Sequence, residues 1–410
     1  MKKNSLLCYQ KKKMKKIILL LIIILIPNLS LALEFKKIKK EAVVTNSKII
    51  FPIKSNKDTC TSSQLLQPNF IFDPIPTLDA PKGYGLDDRF DKVRQQFERF
   101  SMPCGLGDVK SCKKVKEIIL NWAKADAPKR TGPKNGESKF WNDTLTINLH
   151  INNPMMSAYS FASQVIDFTL EEEKIIKEWF NRSVKRGAHL MYGKKYKDNT
   201  GARGVPRSAH NHALTSAISH MQLGIILNDN KLFRKAFKNY EHTIKYQRRN
   251  GSLPIEVRRG GRAMFYQGRA MSALSVIAII AEKQGYNIWE YDHKDKGKNF
   301  HSLVKFFLDF TENNEIVFKY AKEMKAPGPA KDYKNQDLKI KNSSNWGWFY
   351  AYATRFPNHE NIKRIQEWAN NPDNLNKYQI GFLYHYKNIG KTKFNDASWT
   401  VVEANCHFLR

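Results

Sequence analysis

The sequence predicts an all-α fold, an (α/α) toroid or barrel of antiparallel helix pairs with an irregular N-terminal arm, and three observations carry that prediction. From residue 86 onward, apolar side chains recur at helical spacing in one segment after another. The segments are joined by short polar or Gly- and Pro-containing connections, which make consecutive helices antiparallel neighbours. Runs with the period-two alternation of a half-buried strand are almost absent. There are too many helix pairs for a four-helix bundle, and they show no fixed repeat length of the simple solenoid kind. A toroid with inner helices more apolar than its outer ones fits better.

Residues 1–32 read as a secretory signal peptide. A basic start is followed by the apolar run Ile17 to Ile26 and the small-residue segment Ser30, Leu31, Ala32, with cleavage expected after Ala32. Met14 opens a stretch that is a complete signal by itself. The run is short for a membrane span and no second one follows, so stable membrane insertion is not expected and the protein is placed in the periplasm or outside the cell. Residues 33–85 form an N-terminal arm. EFKKIKKEAVVTNSKIIFPIKSNKD alternates apolar and charged residues like an edge strand or extended segment, and a Pro-rich stretch follows.

Residues 86–410 form the toroid. Phe90, Val93, Phe97 and Phe100 mark the first helix, and VKEIILNWAKAD repeats the pattern. A polar loop over 127–143 precedes a helix beginning in NLHINNPMMSAYSF. The next helix carries Ile175, Ile176, Trp179 and Phe180 on one face. NHALTSAISHMQLGIILND pairs with NKLFRKAFKNYEHTIKYQ, and RAMFYQGRAMSALSVIAIIAEK with FHSLVKFFLDFTENNE. Two further helical segments and an aromatic cluster follow in SSNWGWFYAYATRFPNHENIKRIQEWANN.

The formal charge of +31 falls to about +24 when the seven lysines of residues 1–32 are removed. Such a surface favours polyanions. Export argues against nucleic acid and points to acidic polysaccharide or the membrane face. An AT-rich coding sequence produces the same Lys, Asn and Ile bias, so charge alone names no ligand. Four cysteines follow the leader, Cys60, Cys104, Cys112 and Cys406. In an oxidising compartment they allow three pairings, of which Cys104–Cys112 with Cys60–Cys406 is preferred.

Two polar turns, each opening a helix, hold the residues suited to removing a weakly acidic proton from carbon. In the first, Asn211 and His212 stand where a helix N-terminus keeps an imidazole neutral and able to act as a base. His210 and His212 have no carboxylate or third histidine at ligand spacing, so no metal is expected. In the second, IEVRRGGRAM brings Arg259 to a glycine-broken turn ahead of Tyr266, and a guanidinium can hold a carboxylate through two parallel hydrogen bonds. Arg258 and Arg262 read as a solvated basic turn. A buried histidine or tyrosine is, residue by residue, more often scaffold than catalyst.

Taken together, these residues resemble the alginate lyases of the helical-toroid type, which cleave poly-β-D-mannuronate. The match consists of Asn211 with His212, Gly251-Ser252-Leu253-Pro254 with Glu256, and Arg259 with Tyr266. His212 precedes Arg259 by 47 positions and Tyr266 by 54, as in that family. NWGWFYAYATRFP, with Trp346, Phe349 and Tyr350, and INNPMMSAYSF extend the resemblance over roughly residues 80–385. The family's second asparagine before the histidine is His210 here, its following aromatics are Ala213, Leu214 and Thr215, and its basic N-terminal substrate residue is matched loosely by Lys82. These departures bear on sugar preference more than on reaction class.

The resemblance implies β-elimination without metal or organic cofactor. Arg259 and Asn211 would neutralise the uronate carboxylate and stabilise the developing enolate charge. Tyr266 would remove the C5 proton as phenolate and protonate the leaving oxygen as phenol, with His212 and Arg259 favouring the phenolate; alternatively His212 is the base and Tyr266 the acid. Lys82, Arg203, Arg207 and Arg355 are expected to line a groove for an anionic polysaccharide, and Trp346 and Tyr350 to stack on its sugars. The alternative function is a non-catalytic periplasmic protein that binds acidic polysaccharide.

Overall fold

The computed structural model describes residues 34–54, 73–79, 87–129, 138–188, 195, 202–325, 331–338, 346–389 and 407. The leader, Lys82, Cys60 and Cys406 lie outside the described residues. Within them there is no strand, only two isolated bridges, Thr77 with Lys129 and Lys195 with Pro206.

The helices are α1 (34–41), α2 (Asp88–Gly105), α3 (Val109–Lys124), α4 (Ser138–Ile147), α5 (Asn153–Val165), α6 (Leu170–Arg186), α7 (Asn211–Leu227), α8 (Asn230–Tyr246), α9 (Ala263–Lys283), α10 (Phe300–Glu312), α11 (Glu315–Ala321), α12 (Gly347–Arg355), α13 (Glu360–Asn370) and α14 (Lys377–Lys387). Helices α5, α7, α9 and α12 form an inner row, each packed on the next. Along α7 every residue from Asn211 to Ile226 is buried, polar side chains included. Outer helices are amphipathic. On α8, Phe233, Ala236, Phe237, Tyr240 and Ile244 make one buried stripe, which packs on α7.

Local signals set the boundaries. Asn228 ends α7 in the left-handed conformation, and the next residue, Asp229, starts α8 by accepting the Lys231 and Leu232 backbone N–H groups at its carboxylate. Helix α6 opens with a reciprocal Thr169–Glu172 capping box.

The arm differs from the extended reading. Residues 34–41 are helical because Phe35, Ile38 and Ala42 bury at helical spacing, with Phe35 stacked on Tyr291 (3.9 Å) and Lys39 paired with Glu241 (2.6 Å). The chain then crosses the body. Gln284 Oε1 accepts the Thr45 and Asn46 backbone N–H groups, Lys48 pairs with Glu173, and Ser160 Oγ accepts the Ile50 N–H.

Three further differences concern helices. The segment expected as a loop up to 143 is helical from Ser138, and a π turn at Asn148–Asn152 carries α4 into α5. Helices α11 and α14 add to the expected set. Helix α9 is long and apolar enough to cross a membrane, contrary to the expectation that no such run follows the leader, but 89% of the window is buried inside the protein. It is a core helix.

Cys104 and Cys112 form a disulfide across the α2–α3 turn. Closing this short loop restricts the unfolded chain, so replacing both cysteines by serine is expected to cost about 2.5 kcal/mol of stability. The melting temperature should fall by roughly 3 °C, and the wild type should fall equally under reductant; identical melting of both forms would refute this.

Candidate active site

The first turn is built from residues 202–210. After Pro206 a short 3-10 turn, Arg207–Ala209, leads to His210, which is extended and caps α7 by accepting the His212 backbone N–H at Nδ1 (3.2 Å). Asn239 on α8 holds this turn in place, donating to the carbonyls of Ser208 (3.0 Å) and Ala213 (3.3 Å). Asn211 and His212 therefore occupy the first turn of α7, where the helix dipole favours negative charge. The His210 and His212 rings meet edge to face at 4.6 Å.

The second turn begins at Gly251, whose φ of +84° suits glycine. A Cβ there would lie 1.8 Å from the Ser302 carbonyl oxygen. Gly251→Ala is therefore expected to lose more than the roughly 1–3 kcal/mol typical of overpacking, read as a lowered denaturant midpoint. An unchanged midpoint would contradict it. Gln267 of α9 accepts the Leu253 N–H (2.9 Å) and donates to the Gly251 carbonyl (3.2 Å). Further on, Gly260 takes φ +58° and α9 starts at Ala263. Gln336 braces this bend, accepting the Met264 N–H (3.1 Å) and donating to the Gly260 carbonyl (3.2 Å).

The bend folds Arg259 back over the start of α9. Its guanidinium carbon lies 3.4 Å from the centroid of the Tyr266 ring. A continuous helix would have separated the two by ~10 Å along its axis.

Glu256 joins the two turns. Its Oε1 accepts the Asn211 backbone N–H (2.9 Å), its Oε2 accepts the Asn211 side-chain Nδ2–H (2.8 Å), and Arg259 Nη1 approaches Oε2 at 3.5 Å. Glu256 and Arg259 are both 0% exposed, and Asn211, Tyr266 and His212 are 3%, 4% and 7% exposed. Burial pushes the Glu256 carboxyl above the usual carboxylate range, and Arg259 and the Asn211 hydrogen bonds partly offset this. Arg259 Nε and Nη2 have no hydrogen-bond partner among the described residues. Those two nitrogens are one edge of the guanidinium fork, the geometry that takes a carboxylate in two parallel bonds. Glu256 was absent from the expected site. Its signal was a carboxylate three residues ahead of the arginine, within the motif itself.

The other expected residues are distributed differently. Arg203 is exposed and Arg207 half-buried in the segment that runs into His210. Arg258 is buried at 3% exposure, so it is not part of a solvated basic turn. Arg355 is remote from Tyr266. It pairs with Glu282 (2.7 Å), 16 residues or ~24 Å further along α9, beside a cavity of about 360 Å³ lined also by Tyr286, Trp289 and Glu290. Trp346 and Tyr350 lie in the aromatic core. Trp346 stacks on His385 (4.3 Å) and meets Phe382 edge-on (4.7 Å), and the Tyr350 hydroxyl contacts His385 Nδ1 (3.2 Å). They present no open face for a sugar. Among the described residues no three histidine, cysteine or carboxylate side chains converge as a metal-binding group.

The helical architecture and its Asn–His and Arg–Tyr turns place the chain in a known structural class. Its fold is similar to that of alginate lyase A1-III. A tyrosine-to-phenylalanine variant of that protein complexed with tetrasaccharide superposes with a TM-score of 0.60 at 19% identity, covering 79% of this chain and 92% of that one. A histidine-to-alanine variant, also with tetrasaccharide, gives 0.59 at 18% identity over the same shares. The fold is thus an (α/α) toroid.

The alginate lyase family model matches residues 106–318, just over half of the chain, and the chain belongs to that family. An alginate lyase of Pseudomonas fluorescens (strain SBW25) is 25% identical over 244 residues, 58% of this chain and 57% of the relative. The chain thus spans somewhat over half the length of this curated relative.

Proposed function

We propose that this protein is a polysaccharide lyase that cleaves mannuronate-rich alginate, or a related polyuronate, by β-elimination. The observation that carries the reading is the Arg259 guanidinium, sealed from water, stacked on Tyr266, joined through Glu256 to Asn211, and keeping its Nε–Nη2 edge clear of described partners. The C5 proton of a uronate becomes acidic enough to remove only when the adjoining carboxylate is neutralised. Arg259 and the second Nδ2–H of Asn211 supply that neutralisation, more strongly for being out of water.

The steps follow from the residue types. Tyr266, as phenolate beneath the Arg259 cation, takes the C5 proton. The C5 electron pair forms the C4=C5 double bond, and the C4–O4 bond breaks. The departing O4 then takes the proton back from the phenol. In mannuronate the C5 hydrogen and O4 lie on one face of the ring, so a single side chain serves both transfers. His212, in the first turn of α7, assists this or acts as the base itself. The site is buried, so a polymer must gain access to it before the chemistry.

Supporting this reading, the histidine and tyrosine replaced in the two A1-III structures stand the same number of positions apart as His212 and Tyr266. The large positive charge suits a polyanion, with Arg203 and Arg207 at the approach to His210. The leader-like N-terminus and the Cys104–Cys112 disulfide suit action in the periplasm or outside the cell.

The test is the ultraviolet absorbance of the unsaturated uronate product, followed against polymannuronate, polyguluronate and other polyuronates. The fastest rise is expected with polymannuronate. Binding without any rise, on every polymer, would leave a carbohydrate-binding protein instead.

A further inference from the structure

We infer that Glu256 is a positioning residue for the proposed elimination: its carboxylate sets the orientation of the Asn211 amide and the Arg259 guanidinium before substrate arrives. The inference rests on the lyase reading and adds a residue to it.

A carboxylate only accepts hydrogen bonds, so Asn211 must turn its NH2 toward Glu256 Oε2 and its carbonyl oxygen away. One Nδ2–H is consumed and the second is left in a determined direction. The same carboxylate takes the Asn211 backbone N–H, fixing the first residue of α7, and draws Nη1 of Arg259. It thus occupies one donor from each of the two groups that would hold the substrate carboxylate. The donors it leaves are the remaining Nδ2–H and the Nε–Nη2 edge.

A purely structural joint would not need a charge here. Burying a carboxylate is costly, and a glutamine of the same shape would still accept the Asn211 N–H at far smaller desolvation cost. A glutamine, however, has one acceptor oxygen where the carboxylate uses two: with that oxygen on the Asn211 backbone N–H, its NH2 faces the Asn211 NH2 and favours a flip of the amide. The asparagine could then turn its acceptor toward the substrate carboxylate and repel it.

Acid dependence follows in sign. Burial raises the Glu256 carboxyl, with Arg259 and Arg258 from its own turn and the Asn211 bonds opposing. His210 and His212 beside Asn211 and Tyr266 beneath Arg259 are the other titratable groups of the cluster. As pH falls, Glu256 gains a proton above the usual carboxylate range and loses an acceptor for Asn211. The wild type should lose activity on that acid limb.

The experiment compares Glu256→Gln and Glu256→Asp with wild type on polymannuronate, with circular dichroism and melting temperature as fold controls. Glu256→Gln should lower kcat about 100-fold, the scale of losing one oriented donor, with a much smaller change in KM and without the acid limb. Glu256→Asp keeps the charge and should recover part of kcat. A folded Glu256→Gln enzyme within a few-fold of wild-type kcat, with the same pH profile, overturns the inference. So does a Glu256→Asp enzyme no better than Glu256→Gln while both stay folded. If Glu256→Gln does not fold, the Glu256→Asp profile decides alone: an acid limb unmoved from wild type overturns the inference, and a shifted one supports it. A wild type inactive on every polyuronate would sink the lyase reading instead.

Discussion

Replacing Tyr266 by phenylalanine is expected to abolish the unsaturated product, with kcat falling by about 10²–10⁴-fold, the range of a lost general acid–base group. The substitution removes one hydroxyl and keeps the ring on which Arg259 rests, so the packing at the start of α9 survives. Melting temperature and helical circular dichroism should stay at wild-type values. Affinity for oligomannuronate should also persist, because the carboxylate-holding groups Asn211 and Arg259 are untouched. His212→Ala sharpens the assignment. The cap of α7 uses the His212 backbone N–H, so losing the imidazole leaves the helix start intact. Equal losses for both variants indicate that the two side chains share the transfers; a markedly smaller loss for His212→Ala indicates that Tyr266 carries them alone. Full activity in Tyr266→Phe would end the proposed mechanism.

The second large effect belongs to Arg259. Arg259→Lys is expected to lower kcat by about 10²–10³-fold, because an ammonium is a point charge without the planar edge that grips a carboxylate in two bonds. Lysine is the informative choice. Arg259→Ala would strand the buried Glu256 carboxylate and cost roughly 3–5 kcal/mol of stability, confusing folding with catalysis. With lysine a cation remains near Glu256 and only the fork is lost. The check is kcat on polymannuronate in a variant shown to melt cooperatively. Wild-type kcat in Arg259→Lys would mean that the guanidinium edge does not hold the substrate.

Much of the architecture was legible in the chain because periodicity is a local property. The stripe on α8, the Asp229 cap and the long apolar runs of α7 and α9 are written in adjacent residues. The start of the arm, residues 34–41, was misread as extended because charged and apolar residues alternate there, while Phe35, Ile38 and Ala42 meet the body on a helical period. Aromatic and cationic residues behave differently. Trp346 and Tyr350 carry the same chemistry in a core as in a sugar groove, and their neighbours Phe382 and His385 come from more than thirty residues away. Arg355 reads as a free cation until Glu282, 73 positions earlier, is seen to pair with it.

By itself, the order of residues determined the helical class, the two polar turns and the types of side chain they carry, since spacing, glycine placement and capping act over a few neighbours. Only the tertiary structure decided that the turns meet, and that they meet on Glu256. That contact joins positions 45 apart through a carboxylate withdrawn from water. Burial and partnership across such a distance depend on how α7 and α9 pack, which no short stretch of chain encodes.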